Sequence, residues 1–89
     1  MKHLKIKVTG KVQGVWFRAN TKDMADKLNL SGFVRNEPDG SVYIEVSGIE
    51  DAINKFTEWL KKGPELARVD NLEIENNDTE YNSGFEIRR

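Results

Sequence analysis

The spacing of apolar residues switches between the period of a strand and that of a helix in the order strand, helix, strand, strand, helix, strand, and few folds satisfy that order. In "HLKIKVTG", Leu4, Ile6 and Val8 alternate with His3, Lys5 and Lys7, the pattern of a half-buried strand. Phe17, Thr21, Met24, Ala25 and Leu28 then recur at helical spacing, with Lys22, Asp23, Asp26 and Lys27 turned to water. Asn29 follows, where a left-handed cap is needed and asparagine is the usual substitute for glycine. "GFVRN" and "SVYIEV" read as strands joined by "EPDG", whose Asp39-Gly40 supplies the freedom a turn requires. Ser47 and Glu50 have the spacing of a capping box. The helix it opens has an apolar stripe of Ile49, Ala52, Ile53, Phe56 and Leu60, with Trp59 at its margin, and Gly63-Pro64 ends it. Further strands are expected over 68–75 and, as a short extra strand, over 84–88.

Both crossovers are helical, so the expected fold is an α+β ferredoxin-like sandwich. It has the order βαββαβ with a short extra C-terminal strand, and a mostly antiparallel sheet with two helices on one face. Residues 1–89 form a single domain. The other sheet face stays open, lined by Tyr43, Arg35 and the lysines of the first strand. His3 reads as a solvated strand residue.

Composition narrows the chemistry. The net charge of −1 argues against a protein held mainly by nucleic-acid phosphates or an anionic membrane. The absence of cysteine excludes disulfides, thiolate nucleophiles and sulfur-bound zinc, and one histidine cannot build a multi-histidine metal site. No apolar run approaches the ~18 residues of a membrane span and no signal-peptide core follows Met1. The expectation is a cytoplasmic protein with no metal and no cofactor, acting as a monomer.

"GKVQGVWFR", residues 10–18, joins the first strand to the first helix. Successive N–H groups of a tight glycine loop can converge on an oxyanion, and a helix N-terminus adds positive potential at the same place. Arg18 adds a guanidinium fork that matches two phosphate oxygens. Such a cation opposes the helix dipole, so either an anion relieves it or it turns away. The loop lacks both the Walker A ending and the G-x-G-x-x-G spacing. By spacing alone, a phosphate cradle and a glycine turn followed by a surface arginine stand level. Asn36 by itself reads as a turn residue beside Pro38-Asp39-Gly40.

Gly10, Val12, Gln13, Gly14, Val15, Phe17 and Arg18 match position by position the G-x-V-Q-G-V-x-F-R signature of the acylphosphatase family. Gly32, Phe33, Val34, Arg35, Asn36, Gly40, Val42 and Gly48 match its second signature. The chain resembles that family over nearly its whole length. The resemblance implies hydrolysis of the carboxyl-phosphate anhydride of an acyl phosphate, giving a carboxylate and inorganic phosphate. It implies Arg18 as the phosphate-binding arginine and Asn36 as the water-positioning asparagine. It assigns phosphate-binding amides to the loop of Gln13, Gly14, Val15, Trp16, Phe17 and Arg18. Gln13 is expected to prop the loop, Gly14 to serve backbone conformation, and Val15 and Phe17 to anchor the loop to the core. Trp16 is read either as a border of the acyl pocket or as a partly exposed packing residue. Glu37 is expected to point into solvent.

Two other readings compete. A non-catalytic acyl- or carbamoyl-phosphate binding module would keep the cradle and lose turnover. An RNA-binding module is faintly echoed by "SGFVRN", but the second aromatic needed on the same face is lacking, which leaves no nucleic-acid partner in the reading.

Overall fold

The computed structural model describes all residues, 1–89. Strand β1 runs Lys2–Lys11, helix α1 Phe17–Lys27, β2 Ser31–Asn36, β3 Val42–Gly48, α2 Glu50–Lys62, β4 Arg68–Asn76 and β5 Phe85–Arg88. The sheet order is β4-β1-β3-β2-β5. Three of its pairings are antiparallel and one, β2 with β5, is parallel. The expected ferredoxin-like α+β sandwich is the fold observed, and the extra strand supplies the parallel pair.

Strand alternation sets the core. Leu4, Ile6 and Val8 of β1, Val34 of β2 and Val42, Ile44 and Val46 of β3 are buried on the helix face. They meet Phe17 and Ala25 from α1 and Ala52, Ile53, Phe56 and Leu60 from α2 in one cluster. Each of the valine, leucine, isoleucine and phenylalanine side chains, fully buried, contributes about 1.5–3 kcal/mol relative to exposure. Val15 and Phe17 belong to this cluster, so the 10–18 loop is anchored as expected.

Helix ends divide between expectation and correction. Asn29 has φ 56°, and the amides of Leu30 and Asn29 return to the carbonyls of Ala25 and Asp26, the bonding of a left-handed cap. The capping box of Ser47 and Glu50 does not form. Ile49 is the N-cap of α2, without a side-chain cap bond, while Ser47 lies in β3. The Ser47 hydroxyl instead accepts from the Tyr81 amide (3.0 Å) and sits 2.8 Å from His3 Nδ1. His3 is therefore half-buried and tied across the sheet rather than freely solvated. Ile49 is 63% exposed and leaves the apolar stripe, because the helix begins one residue after it.

The open face also differs from expectation. Phe33, Tyr43 and Tyr81 share it, with ring centroids 5.9–6.0 Å from Phe33, so the second aromatic is present. Phe33 is nonetheless buried, covered by the guanidinium groups of Arg88 at 4.0 Å and Arg35 at 5.4 Å. Glu45 accepts hydrogen bonds from Tyr43, Tyr81 and Asn77. Burial raises its pKa, but those three donors outweigh it and the carboxyl ends below its usual range. Tyr43 is pushed up to about 12, by burial first and by the Glu45 carboxylate second.

Topology places the cleft. β1 and β2 are each antiparallel to β3 and so run in the same direction, and β5 runs parallel to β2. The C-terminal ends of all three therefore come to one end of the sheet. The loop after β1 and the start of α1 sit at that end.

Candidate active-site cleft

Gly10 and Gly32 let the backbones approach where the loop and β2 begin. Gly10 has φ 130°, and a Cβ there would run into the Arg68 carbonyl oxygen. It lies at the register shift between β1 and β4 that bends the strand toward the loop. Beyond it the chain turns at Gly14, φ 72°, and at Trp16, φ 63°. Gly14 needs glycine for that conformation alone, since a Cβ would meet nothing within 4 Å.

Trp16 is held in the left-handed region although it is not glycine, a conformation that costs about 1–2 kcal/mol. Its carbonyl accepts from both the backbone N–H (3.0 Å) and the side-chain amide (2.8 Å) of Asn20, which fixes the turn into α1. Asn20 belongs to neither signature; its one-turn spacing from Trp16 is the signal of this role in the sequence.

The result is a run of unsatisfied donors. The amides of Gln13, Gly14, Val15 and Trp16 donate to no group of the chain. The first-turn amides of α1 have no intrahelical acceptor, and no side chain caps them. No acidic residue stands in that first turn, whereas α2 begins with Glu50 and Asp51 and ends with Lys61 and Lys62. Helix α2 thus complements its dipole, and α1 places Arg18 at its positive end instead.

The residues gathered at this end line a cleft of ≈ 420 Å³: Val12, Gly14, Trp16, Phe17, Arg18, Ala19, Asn36, Ile87 and Arg89. Arg18 and Asn36, which lie 18 positions apart in sequence, share it. Arg18 forms no ion pair and donates no side-chain hydrogen bond. Asn36 ends β2, and its Oδ1 is buried with no hydrogen-bond partner. A buried acceptor left unpaired costs about 1–3 kcal/mol, so Asn36 holds hydrogen-bonding capacity that the fold does not use. Trp16 is 74% exposed on the rim.

Gln13 and Val15 lie outside the lining. Val15 is core, and Gln13 is a buttress: its Nε2 donates to the carbonyls of Glu37 and Ser41, both at 2.8 Å. Those carbonyls belong to the β2–β3 turn, so one side chain ties the loop carrying Arg18 to the strand end carrying Asn36. The turn is braced in turn by Asp39, which accepts from the Ser41 amide (2.9 Å) and hydroxyl and pairs with Lys7 at 2.9 Å. The two Ser41 bonds first, then Lys7, hold the Asp39 carboxyl far below the usual range, and Asp39 raises Lys7 reciprocally. Glu37 does not point freely into solvent. It accepts from Arg35 Nε at 3.0 Å, and that pairing keeps its charge on the open face.

The fold and the cleft define a small ferredoxin-like α+β domain with an arginine-lined cleft where parallel-running strands end. The family model for acylphosphatase matches residues 4–87. An acylphosphatase of Thiobacillus denitrificans is 44% identical over 99% of this chain and 98% of its own. The crystal structure of an acylphosphatase from Bacillus subtilis superposes with a TM-score of 0.94 at 34% identity, covering 100% of both chains. An acylphosphatase from Coxiella burnetii superposes with a TM-score of 0.93 at 39% identity, over 98% of this chain and 92% of that one. The chain belongs to the acylphosphatase family.

Proposed function

We propose that the chain hydrolyses acyl phosphates, with the phosphoryl group clamped by Arg18 and the free loop amides and the attacking water held by Asn36. The observation that carries this reading is the meeting of Arg18 and Asn36, each with unused hydrogen-bonding capacity, in one cleft at an uncapped helix N-terminus.

The reaction needs little else. Water oxygen attacks phosphorus, the bond from phosphorus to the acyl oxygen breaks, and the electron pair leaves on a carboxylate. The conjugate acid of that leaving group has a pKa of about 4–5, so no acid need protonate it. A phosphate oxygen takes the proton that the water loses. A loose phosphoryl-transfer transition state asks for positioning and charge stabilisation rather than covalent help. The Arg18 fork and amide donors stabilise the charge on the equatorial oxygens. The Asn36 carboxamide keeps the water in line. The cleft contains no histidine, cysteine or carboxylate side chain, which suits a substrate whose leaving group is already good.

The test is hydrolysis of benzoyl phosphate without added metal, with phenyl phosphate as control, for wild type, Asn36→Ala, Arg18→Ala and Arg18→Lys. The expected result is cleavage of the anhydride alone. Asn36→Ala should lose about 10²–10³ in turnover, the range for one preorganised donor. Arg18→Ala should be inactive, and Arg18→Lys should recover little, since a point charge cannot reproduce the fork. Near-normal activity in either Arg18 variant refutes the assignment. Wild type that binds inorganic phosphate yet leaves the anhydride intact makes the chain the non-catalytic binding module.

A further inference from the structure

Among the five arginines of the chain, three are neutralised close by: Arg35 by Glu37, Arg68 by Asp70 and Arg88 by Glu86. The other two, Arg18 and Arg89, have no carboxylate partner, and both line the same cleft. No aspartate or glutamate lines it with them. One guanidinium fork already spans two oxygens of a phosphoryl group, which leaves the second unpaired cation able to meet a further anion.

Strand register explains how Arg89 gets there. β5 is parallel to β2 with Gly32 opposite Phe85 and Val34 opposite Ile87. The last pair is Arg35 with Arg88, so the next step along the two strand ends brings Arg89 to the level of Asn36, and both line the cleft. Phe85, Ile87 and Arg89 share the helix face, where Phe85 is core and Ile87 joins the cleft wall. Arg88, on the opposite face, is used up over Phe33 and against Glu86. Between the two unpaired arginines the wall is mostly apolar, with Trp16 and Ile87 at the exposed margin.

We infer that Arg89 is a specificity-determining residue that holds an anionic group on the acyl side of the substrate, so that the cleft favours acyl phosphates bearing a second negative charge over neutral ones of equal length. The inference rests on the proposed function above, with Arg18 on the phosphoryl group and the apolar wall against the acyl chain. A charge pair at the solvated mouth of a cleft is worth about fivefold in affinity, more at low ionic strength.

Succinyl phosphate and butyryl phosphate form the matched pair, differing by one carboxylate for one methyl group. The readouts are KM for each, and Kd for the stable succinyl and butyryl phosphonates, with wild type, Arg89→Gln and Arg89→Lys. The expected wild-type preference for the succinyl member is about five- to tenfold in KM and Kd at low salt, falling as salt is added. Arg89→Gln should abolish it by weakening the succinyl member far more than the butyryl one, and Arg89→Lys should keep most of it. Equal wild-type constants for the pair overturn the inference. So does an Arg89→Gln variant that weakens both members equally, because Arg89 would then be touching the phosphoryl group. If neither phosphate is hydrolysed but the phosphonates are still discriminated, the proposed catalysis fails and the Arg89 assignment stands.

Discussion

Replacing Gln13 by methionine removes two hydrogen bonds while keeping the length and approximate volume of the side chain. The two bonds, both 2.8 Å, run to the carbonyls of Glu37 and Ser41 across the cleft's supporting turn. Each net hydrogen bond contributes about 0.5–1.5 kcal/mol. Neither acceptor is stranded by the change, because Glu37 O keeps the Gly40 amide and Ser41 O keeps the Glu37 amide. With no acceptor stranded, the loss sits in the lower part of the ~1–3 kcal/mol that two such bonds span, about 1–2 kcal/mol, which for a domain of this size lowers Tm by about 5–15 °C. A domain stable by ~5 kcal/mol stays roughly 99% folded after such a loss, so activity at room temperature reports geometry rather than unfolding. With the loop released from the turn, Arg18 and Asn36 are no longer held in register. Small misplacement of this kind is costly in phosphoryl transfer, and kcat should fall about tenfold. Thermal unfolding by circular dichroism and benzoyl phosphate hydrolysis on the same samples give both numbers. A variant that melts with wild type refutes the structural tie. One that melts lower but turns over normally refutes the link between the tie and the site, and a lower kcat with unchanged Tm would place Gln13 at the reacting centre instead.

Three further perturbations probe the frame around the cleft. Gly32 has φ 138°, and a Cβ there would overlap the Glu45 carbonyl oxygen, so Gly32→Ala should cost about 3 kcal/mol or more in chemical denaturation; wild-type stability would contradict the close approach of β2 and β3. The Asp39 carboxyl is held below its usual 3.8, so its contribution is present above that value and is lost as pH falls toward the lower folded pKa. The Tm gap between wild type and Asp39→Asn should accordingly be constant near neutrality and close in acid. Tyr43, pushed up to about 12, contributes stability that is full below its usual 10 and is lost as pH rises through the folded value. Tyr81 is raised by burial and by the same Glu45 carboxylate, so ultraviolet titration should show both tyrosines still protonated at pH values where a free phenol has ionised, and Tyr43→Phe should leave a single late step from Tyr81.

The architecture was legible in the sequence because strand and helix periods are local properties of side-chain spacing. Leu4, Ile6 and Val8 alternate, and Ala52, Ile53, Phe56 and Leu60 recur at helical spacing, whatever they pack against. The left-handed cap at Asn29 and the left-handed Gly14 followed from what those residues tolerate. Arg18 stands out in the sequence by motif and by chemistry, since a cation at a helix start is electrostatically odd by itself, whereas Asn36 stands out only by the family signature.

What the sequence could not settle were facts about partners distant along the chain. Ser47 has capping-box spacing, but the cross-sheet contacts with His3 and Tyr81 hold its hydroxyl in β3. Glu37 looks like a free turn carboxylate until the strand turns Arg35 onto it. The aromatic face became visible only when Tyr81, far from Phe33 in the chain, folded over it. Gln13 was expected to prop its loop, but that it does so by grasping the turn behind Asn36 depends on the β1–β3–β2 pairing. Arg89 is one of two adjacent arginines, and only the parallel register of β5 on β2 separates the one spent on the open face from the one that lines the cleft. Local periodicity determines which faces a segment has; long-range pairing decides what each face meets, and the cleft is assembled by that second step.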